Sequence, residues 1–141
     1  MLEDGARLTL AGTFGEGADR CLPLVVVGDK LTGWVAANRQ VIVNSDAALD
    51  LGMAAHATPA LRSCLSVPLL SGGTLAGVLS LYGSARDAFT DDHGRLVQMV
   101  APHLAQAIES ARGRQVDVPA PAQARDLKLV ASRQRGAFAS R

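Results

Sequence analysis

The sequence predicts an α+β fold in which antiparallel strands form a sheet and helices pack against it. One observation is an alternating apolar pattern over residues 63–82, and another is an amphipathic helical pattern over residues 91–112. The third is composition, because 48% of the 141 residues are hydrophobic, which is enough for one domain with one core. Only 4% are aromatic, so we expect a core of Leu, Val and Ala.

The region 63–82 is expected to form a β-hairpin. Residues 63–70 read S-C-L-S-V-P-L-L, residues 71–73 supply a tight S-G-G turn, and residues 74–82 return as a second strand. Proline cannot donate a hydrogen bond to a neighbouring strand. Pro68 therefore predicts a bulge or a position whose amide side is unpaired.

The segments before the hairpin predict shorter elements. Residues 7–12 alternate as in a half-buried strand, and residues 40–45 are rich in the β-branched residues typical of strands. Residues 29–38 have helical apolar spacing and end at Asn38, a plausible left-handed terminator. Residues 46–62 are Ala-rich and predict a loop with one or two weak helical turns.

The region after the hairpin predicts a long helix. Thr90 is a candidate N-cap, and Asp91 and Asp92 suit the positive end of the helix dipole. Pro102 removes a backbone donor inside the helix and predicts a kink. Apolar side chains recur every four residues at Leu96, Val100, Leu104 and Ile108.

The chain changes character near residue 112. Residues 1–112 hold 8 Lys/Arg and 11 Asp/Glu, whereas residues 113–141 hold 6 Lys/Arg and 2 Asp. We therefore predict a folded domain over 1–112 and a Pro/Ala-rich basic tail or linker over 113–141, with a short helix over 125–132. The basic residues of the tail are scattered and aromatic residues are few, so nucleic acid is not an expected partner.

Several classes of protein are not favoured. The two cysteines, Cys21 and Cys64, form no C-x-x-C pair, so no metal site is expected. Two cysteines are too few for a disulfide framework, which fits a protein from a reducing compartment. No run approaches the about 18 apolar residues of a membrane span, and the first five residues lack the pattern of a secretory signal. We expect a cytoplasmic protein without a membrane partner. No catalytic motif is present, so no catalytic residue is predicted.

A set of short segments, each weak alone, follows a specific order. They are G-W-V-A at 33–36, Q-V-I-V-N-S-D at 40–46, L-S-V-P-L-L at 65–70, L-A-G-V-L-S-L at 75–81, F-T-D-D at 89–92, Leu96, and A-Q-A-I-E at 105–109. In this order and at these spacings they resemble the GAF domain family. The resemblance covers about residues 7–112.

The resemblance implies an antiparallel sheet of five or six strands with helices on its faces. It also implies a small-molecule pocket between the sheet and the 46–62 loop. It implies that helix 91–112 pairs two copies in a homodimer and passes a signal to an effector domain. The chain is most similar to bacterial GAF domains placed before cyclic-di-nucleotide enzymes or histidine kinases, and no such effector domain is expected in this sequence.

The chain departs from the family pattern at its beginning. The family starts with a helix and a strand ahead of the strand predicted at 7–12, and here both are expected to be missing. In the family that strand lies inside the sheet, so its loss would leave backbone groups of its neighbours unpaired. A fragment, a mis-started gene product and a chain completed by a partner strand all fit this departure.

A ligand pocket is the expected functional site. Polar groups converging on an apolar cleft are what such a site requires. The ligand and any cofactor are unknown. Structural roles for these residues stay open as alternatives to ligand binding: Asn44 and Asp46 as turn caps, Arg62 in solvent and Trp34 in the core. The predicted lining is Trp34, Asn44, Asp46, His56, Arg62, Ser63, Cys64 and Ser66.

Three functions fit these predictions. The first is a non-catalytic regulatory domain of bacterial signal transduction that senses a small molecule. The second is a free methionine-R-sulfoxide reductase, as in one branch of the family, with Cys64 as nucleophile. Against it, Cys21 lies 43 positions earlier, and burial of Cys64 as a small apolar residue is the simpler reading. The third is a dimerisation module without a ligand.

Overall fold

The computed structural model describes residues 7–113 and, through the backbone, residues 131–135. Two 3₁₀ turns, Ala18–Arg20 and Gly52–His56, accompany the helices and strands. Within these ranges, no helix has the length and apolar content needed to cross a bilayer. The elements in chain order are β1 (Arg7–Leu10), β2 (Leu24–Val26), α1 (Lys30–Asn38), β3 (Ile42–Asp46), α2 (Ala48–Leu51), β4 (Ser63–Ser71), β5 (Thr74–Gly83), α3 (Asp91–Gly113) and β6 (Ala131–Arg135).

The strands form one antiparallel sheet in the order β2-β1-β6-β5-β4-β3. This sheet with its flanking helices confirms the predicted α+β fold class. The predicted hairpin is β4 and β5, whose register runs from Ser63 opposite Gly83 to Ser71 opposite Thr74. The register shifts between Leu69 and Leu70, so the bulge follows Pro68 by one residue. The predicted weak helical turns of the 46–62 loop are α2 and the 3₁₀ turn after it.

Strand β6 lies inside the sheet, between β1 and β5. Four of its residues pair with β1, from Arg7 opposite Arg135 to Leu10 opposite Ser132, and three pair with β5. The short helix predicted over 125–132 is therefore wrong at residues 131 and 132, and residues 125–130 lie outside the described ranges. A strand between β1 and β5 forms backbone hydrogen bonds on both of its sides. The free energy of this pairing outweighs a weak local preference for helix.

One face of the sheet packs against α3 through apolar contacts. The buried side chains of Leu65, Val67 and Leu69 on β4 meet Ala101 and Ala105 on α3. The small residues of α3 let the helix lie close to the sheet. At its first turn, a Cβ added to Gly94 would lie 3.0 Å from Val43 Cγ2.

The opposite face packs against α1 and α2. Here Val35 and Ala36 of α1 pack with Leu8 of β1 and Val78 of β5. Gly33 is required by close approach, because a Cβ at this position would collide with the carbonyl oxygen of Val26. The glycine of the G-W-V segment therefore has a packing role.

The end of α1 differs by one position from the prediction. Arg39, with φ of 55°, is the left-handed residue that ends the helix, and its backbone N–H donates to Val35 O at 2.8 Å. Asn38 is the last helical residue, and its Nδ2 donates to Trp34 O at 2.9 Å. Because the side-chain amide of Asn38 is hydrogen-bonded within α1, Asn38 remains helical and the left-handed position falls on the next residue, Arg39.

Helix α3 divides the apolar residues of its four-residue repeat between two surfaces. Leu104 and Ile108 pack against the core. Leu96, Met99 and Val100 are 60%, 72% and 44% exposed, which leaves an apolar stripe on the outside of the first half of the helix. We call these three residues the outer stripe of α3.

Candidate ligand site

A buried polar network joins α1, α2 and the sheet. Asp50 on α2 is 5% exposed, and its two carboxylate oxygens accept hydrogen bonds from three donors. Thr32 supplies its backbone N–H at 2.9 Å and its hydroxyl at 2.6 Å, and the third donor is the Tyr82 hydroxyl. A carboxylate with this many donors is well compensated for its removal from water.

The network continues into the sheet through two serines. Thr32 Oγ1 lies 3.1 Å from Ser80 Oγ, which lies 2.9 Å from Ser66 Oγ. Burial, and then the adjacent Asp50 carboxylate, raise the pKa of the Tyr82 hydroxyl, so it remains a donor. A cavity beside Asp50 has a volume of about 20 Å³, room for a single water and not for a metabolite.

The two cysteines lie around the same carboxylate. Cys64 is completely buried, and burial, with Asp50 as a further cause, raises the pKa of its thiol well above the usual value. Cys21 is half-buried, and burial followed by Asp50 and Asp19 raises its thiol pKa. Cys21 also contributes to the shift at Cys64. The fold thus places the two sulfurs in one region, but as protonated thiols.

A larger cleft lies at the edge of β3, where the loops before β4 and after β5 meet. Its volume is about 480 Å³, which suits a small metabolite. Two segments form it because the hairpin register places residues after Gly83 beside residues before Ser63. Its lining residues are Asn44, Asp46, His56, Ala60, Leu61, Arg62, Arg86 and Asp87.

Hydrogen bonds fix the framework of the cleft. Asn44 lies at an irregularity of β3 with φ of 56°, a conformation that asparagine tolerates. Its side chain pairs with the Phe89 backbone, accepting from Phe89 N at 2.9 Å and donating to Phe89 O. Asp46 Oδ1 accepts from the backbone N–H of Ala48, the first residue of α2, at 2.9 Å. In the loop between α2 and β4, Pro59 O accepts a hydrogen bond from Arg20 Nη1 at 2.6 Å.

The charged side chains of the cleft are exposed. They are Arg62 and Arg86, of one sign, and Asp46 and Asp87, of the other. Counting partners only among the described residues, neither guanidinium forms a hydrogen bond or ion pair. Two arginines at one cleft without internal partners offer ten N–H donors in all to a bound anion, five from each guanidinium.

The structure brings half of the predicted lining together. Asn44, Asp46, His56 and Arg62 all lie on the 480 Å³ cleft. The other four lie elsewhere: Ser63, Cys64 and Ser66 are buried in β4, and Trp34 is 39% exposed on α1. Ser63 Oγ is buried and has no hydrogen-bond partner among the described residues.

The sequence analysis did not predict Arg86 and Asp87, which lie in the loop after β5 and line the cleft. A signal for them was available in the hairpin itself. Once β4 and β5 are placed in register from the turn at Gly72 and Gly73, residues beyond 83 must adjoin residues before 63. The described residues contain no group of three or more His, Cys, Asp or Glu side chains suited to holding a metal ion.

Comparisons with known proteins agree with this fold. A solved structure of the GAF domain from a phosphoenolpyruvate-protein phosphotransferase of Coxiella burnetii is similar to it, with a TM-score of 0.54 and 25% identity. The similarity covers 64% of this chain and 56% of that chain. No curated protein matches the sequence. A family model described as GAF domain matches residues 1–109. This chain is a member of the GAF domain family.

Proposed function

We propose that this domain is a regulatory sensor that binds a small anionic metabolite in the cleft and does not chemically change it. The observation that carries the proposal is the pair Arg62 and Arg86, which face one cleft and have no internal partner among the described residues. Guanidinium groups bind carboxylates and phosphates through paired N–H donors. Asp46 and Asp87 favour an anion that also carries hydroxyl or amino donors.

The cleft is connected to α3 through a short path. Asn44 lines the cleft and holds the backbone of Phe89, and the next residue, Thr90, caps α3 by accepting from His93 N at 3.2 Å. A ligand that prefers one arrangement of the 84–90 segment therefore biases the start of α3. This is a population shift, with the ligand as the source of the differential free energy.

The output surface in this proposal is the outer stripe of α3. An exposed stripe formed by Leu96, Met99 and Val100 favours pairing with the same stripe of a second copy. A homodimer through α3 would carry the state of the cleft to an effector such as a cyclic-di-nucleotide enzyme or a histidine kinase. A cytoplasmic bacterial setting fits a domain that samples metabolites.

Catalysis by Cys64 is the weaker alternative. A methionine sulfoxide reductase needs a reactive thiolate, whereas burial keeps the Cys64 thiol protonated and away from solvent. The one feature in its favour is the common location of Cys21 and Cys64 around Asp50. Thiol-dependent reduction of free methionine sulfoxide that disappears in Cys64→Ser would establish this alternative.

The test is calorimetric titration and thermal melting of the whole chain with a panel of anions. The panel contains inorganic phosphate, phosphoenolpyruvate and small dicarboxylates. Phosphoenolpyruvate is included because the similar Coxiella burnetii domain belongs to a phosphoenolpyruvate-protein phosphotransferase. We expect saturable binding of at least one anion and a raised melting temperature.

Matched arginine variants locate the binding. Arg62→Ala and Arg86→Ala remove the cleft cations. Arg95→Ala removes an exposed arginine of α3 that forms a long ion pair of 3.7 Å with Asp92. We expect the two cleft variants to lose binding and Arg95→Ala to keep it. No saturable binding by any anion would overturn the proposal in favour of a dimerisation module without a ligand. Equal loss of binding in Arg95→Ala would overturn the assignment of the site to the cleft.

A further inference from the structure

The position between β1 and β5 is an interior slot of the sheet that β6 fills. Without β6, the remaining strands form two separate groups, β2-β1 and β5-β4-β3. Both facing edges, at residues 7–10 and 77–79, would then have unpaired backbone groups. Such edges bind an extended segment strongly, because each pairing replaces an unsatisfied donor or acceptor.

The segment in this slot comes from outside the part of the chain that matches the family. The family match ends at residue 109, and β6 covers 131–135. Seventeen residues, 114–130, connect Gly113 to Ala131. Fully extended, 17 residues span at most about 60 Å. A link of this length reaches the slot of the same molecule or that of a neighbouring molecule.

The start of the link lies close to the slot. Near the end of α3, Arg112 Nη2 donates to the backbone oxygen of Ala76 at 2.9 Å. The next residue of β5, Gly77, pairs with Arg133 of β6. The slot of the same molecule is therefore within reach of the link, and the length of the link also allows it to reach a second copy.

The sequence of the link and of β6 favours exchange between molecules. The sequence of the link contains Pro119 and Pro121, and Pro-rich sequences in general serve as semi-rigid spacers. The β6 sequence, A-S-R-Q-R, contains no large apolar residue that would fix the strand in one place. Strands without an apolar face have weakly specified register and are prone to swapping.

We propose that the slot between β1 and β5 is a strand-exchange site, filled in a homodimer by residues 131–135 of a second copy. The backbone pairing in the exchanged state is the same as in the closed monomer, because donor and acceptor strands are identical. The balance between the two states then depends on the link and on protein concentration. This proposal is independent of the anion cleft.

Mixing two variants of the full chain, each with one added cysteine in addition to the buried Cys64, tests the exchange. Thr9 and Arg133 are direct partners in the β1–β6 register. In a Cys21→Ser background, one batch carries Thr9→Cys and the other Arg133→Cys. Directly opposite residues on antiparallel strands lie close enough for a disulfide. After mixing and mild oxidation, we expect a covalent dimer joined between positions 9 and 133, identified by peptide mass.

The control replaces Arg133→Cys with Gln134→Cys, whose register partner is Leu8 rather than Thr9. On a non-reducing gel, we expect the covalent dimer when Thr9→Cys is mixed with Arg133→Cys. We expect no such dimer when Thr9→Cys is mixed with Gln134→Cys. Adding Leu96→Gln and Met99→Gln to both batches replaces the two most exposed residues of the outer stripe of α3, and the band should remain. A double variant, Thr9→Cys with Arg133→Cys, that forms only the intrachain disulfide while the mixture forms none would overturn the proposal. Equal bands for positions 133 and 134, or no disulfide in any sample, would overturn it as well.

Discussion

The hairpin of β4 and β5 is buried on both faces, and both have apolar contacts, but the face toward α1 and α2 adds a buried hydrogen-bond network. Toward α3, Leu65 and Val67 pack on Ala101 through apolar contacts. Toward α1 and α2, Ser80 joins a chain of hydrogen bonds that ends on Asp50. Apolar contact energy depends on buried area, whereas hydrogen bonds depend on direction and distance.

The difference assigns different mechanical roles to the helices. The hydrogen bonds around Asp50 allow one arrangement of α1 and α2 against the sheet, because a shift would leave a buried charge without its donors. A small shift of α3 changes the buried area only slightly. We therefore expect the α3 side to respond to an occupied cleft and the Asp50 side to remain fixed.

The largest effect should come from removing Asp50. Asp50→Ala leaves the backbone N–H and hydroxyl of Thr32 and the hydroxyl of Tyr82 without their acceptor. We expect a loss of about 3–5 kcal/mol in the free energy of unfolding, measured by urea denaturation. Asp46→Ala is the matched control, because its exposed carboxylate accepts one hydrogen bond, from Ala48 N, among the described residues, and it should cost about 1 kcal/mol. Equal costs for the two variants would show that the network is not a centre of stability.

A smaller loss should follow from truncating the apolar face. Leu65→Ala opens a cavity between β4 and α3 at a fully buried position. We expect a loss of about 3 kcal/mol by urea denaturation, with some relaxation of α3 into the space. Leu96→Ala, at a 60% exposed position of the same interface helix, should leave the free energy of unfolding nearly unchanged. If Leu65→Ala cost more than Asp50→Ala, the assignment of the rigid side would be reversed.

The effect that is smallest per step, because it develops gradually over several pH units, concerns alkaline pH. The pKa values of Cys64 and Tyr82 are raised in the folded state, so folding is favoured while both groups are protonated. This stability is fully present below the unfolded pKa values, about 8.5 for cysteine and about 10 for tyrosine, and falls as pH rises above them. The slope reaches at most about 1.4 kcal/mol per pH unit for each group.

Urea denaturation between pH 8 and pH 11 measures this dependence. Tyr82→Phe should reduce the slope of the curve above about pH 10. Cys64→Ala should reduce the slope of the part that begins near about pH 8.5, to which Cys21 also contributes. Stability that stayed constant over the whole interval in the unaltered chain would contradict the burial of both groups.

Much of the fold was predictable because it rests on local signals. The hairpin, the helix from Asp91 and the loop with weak helical turns follow from alternation, turn residues and capping, which act over a few neighbouring residues. Half of the residues that line the cleft were predictable. Asn44, Asp46, His56 and Arg62 belong to segments that the family resemblance placed together. Arg86 and Asp87 required the strand register, and the division of α3 into a packed and an exposed apolar surface required its orientation on the sheet.

By itself, the sequence determined the fold class, the hairpin, the long helix from Asp91 and the family. These features depend on short-range periodicity and on the ordered segments from Gly33 to Glu109. Only the tertiary structure decided that residues 131–135 enter the sheet beside β1 and that Cys21 and Cys64 share the surroundings of Asp50. The physical reason is that edge pairing and burial depend on which groups remain unsatisfied once distant segments meet, and no local pattern records that.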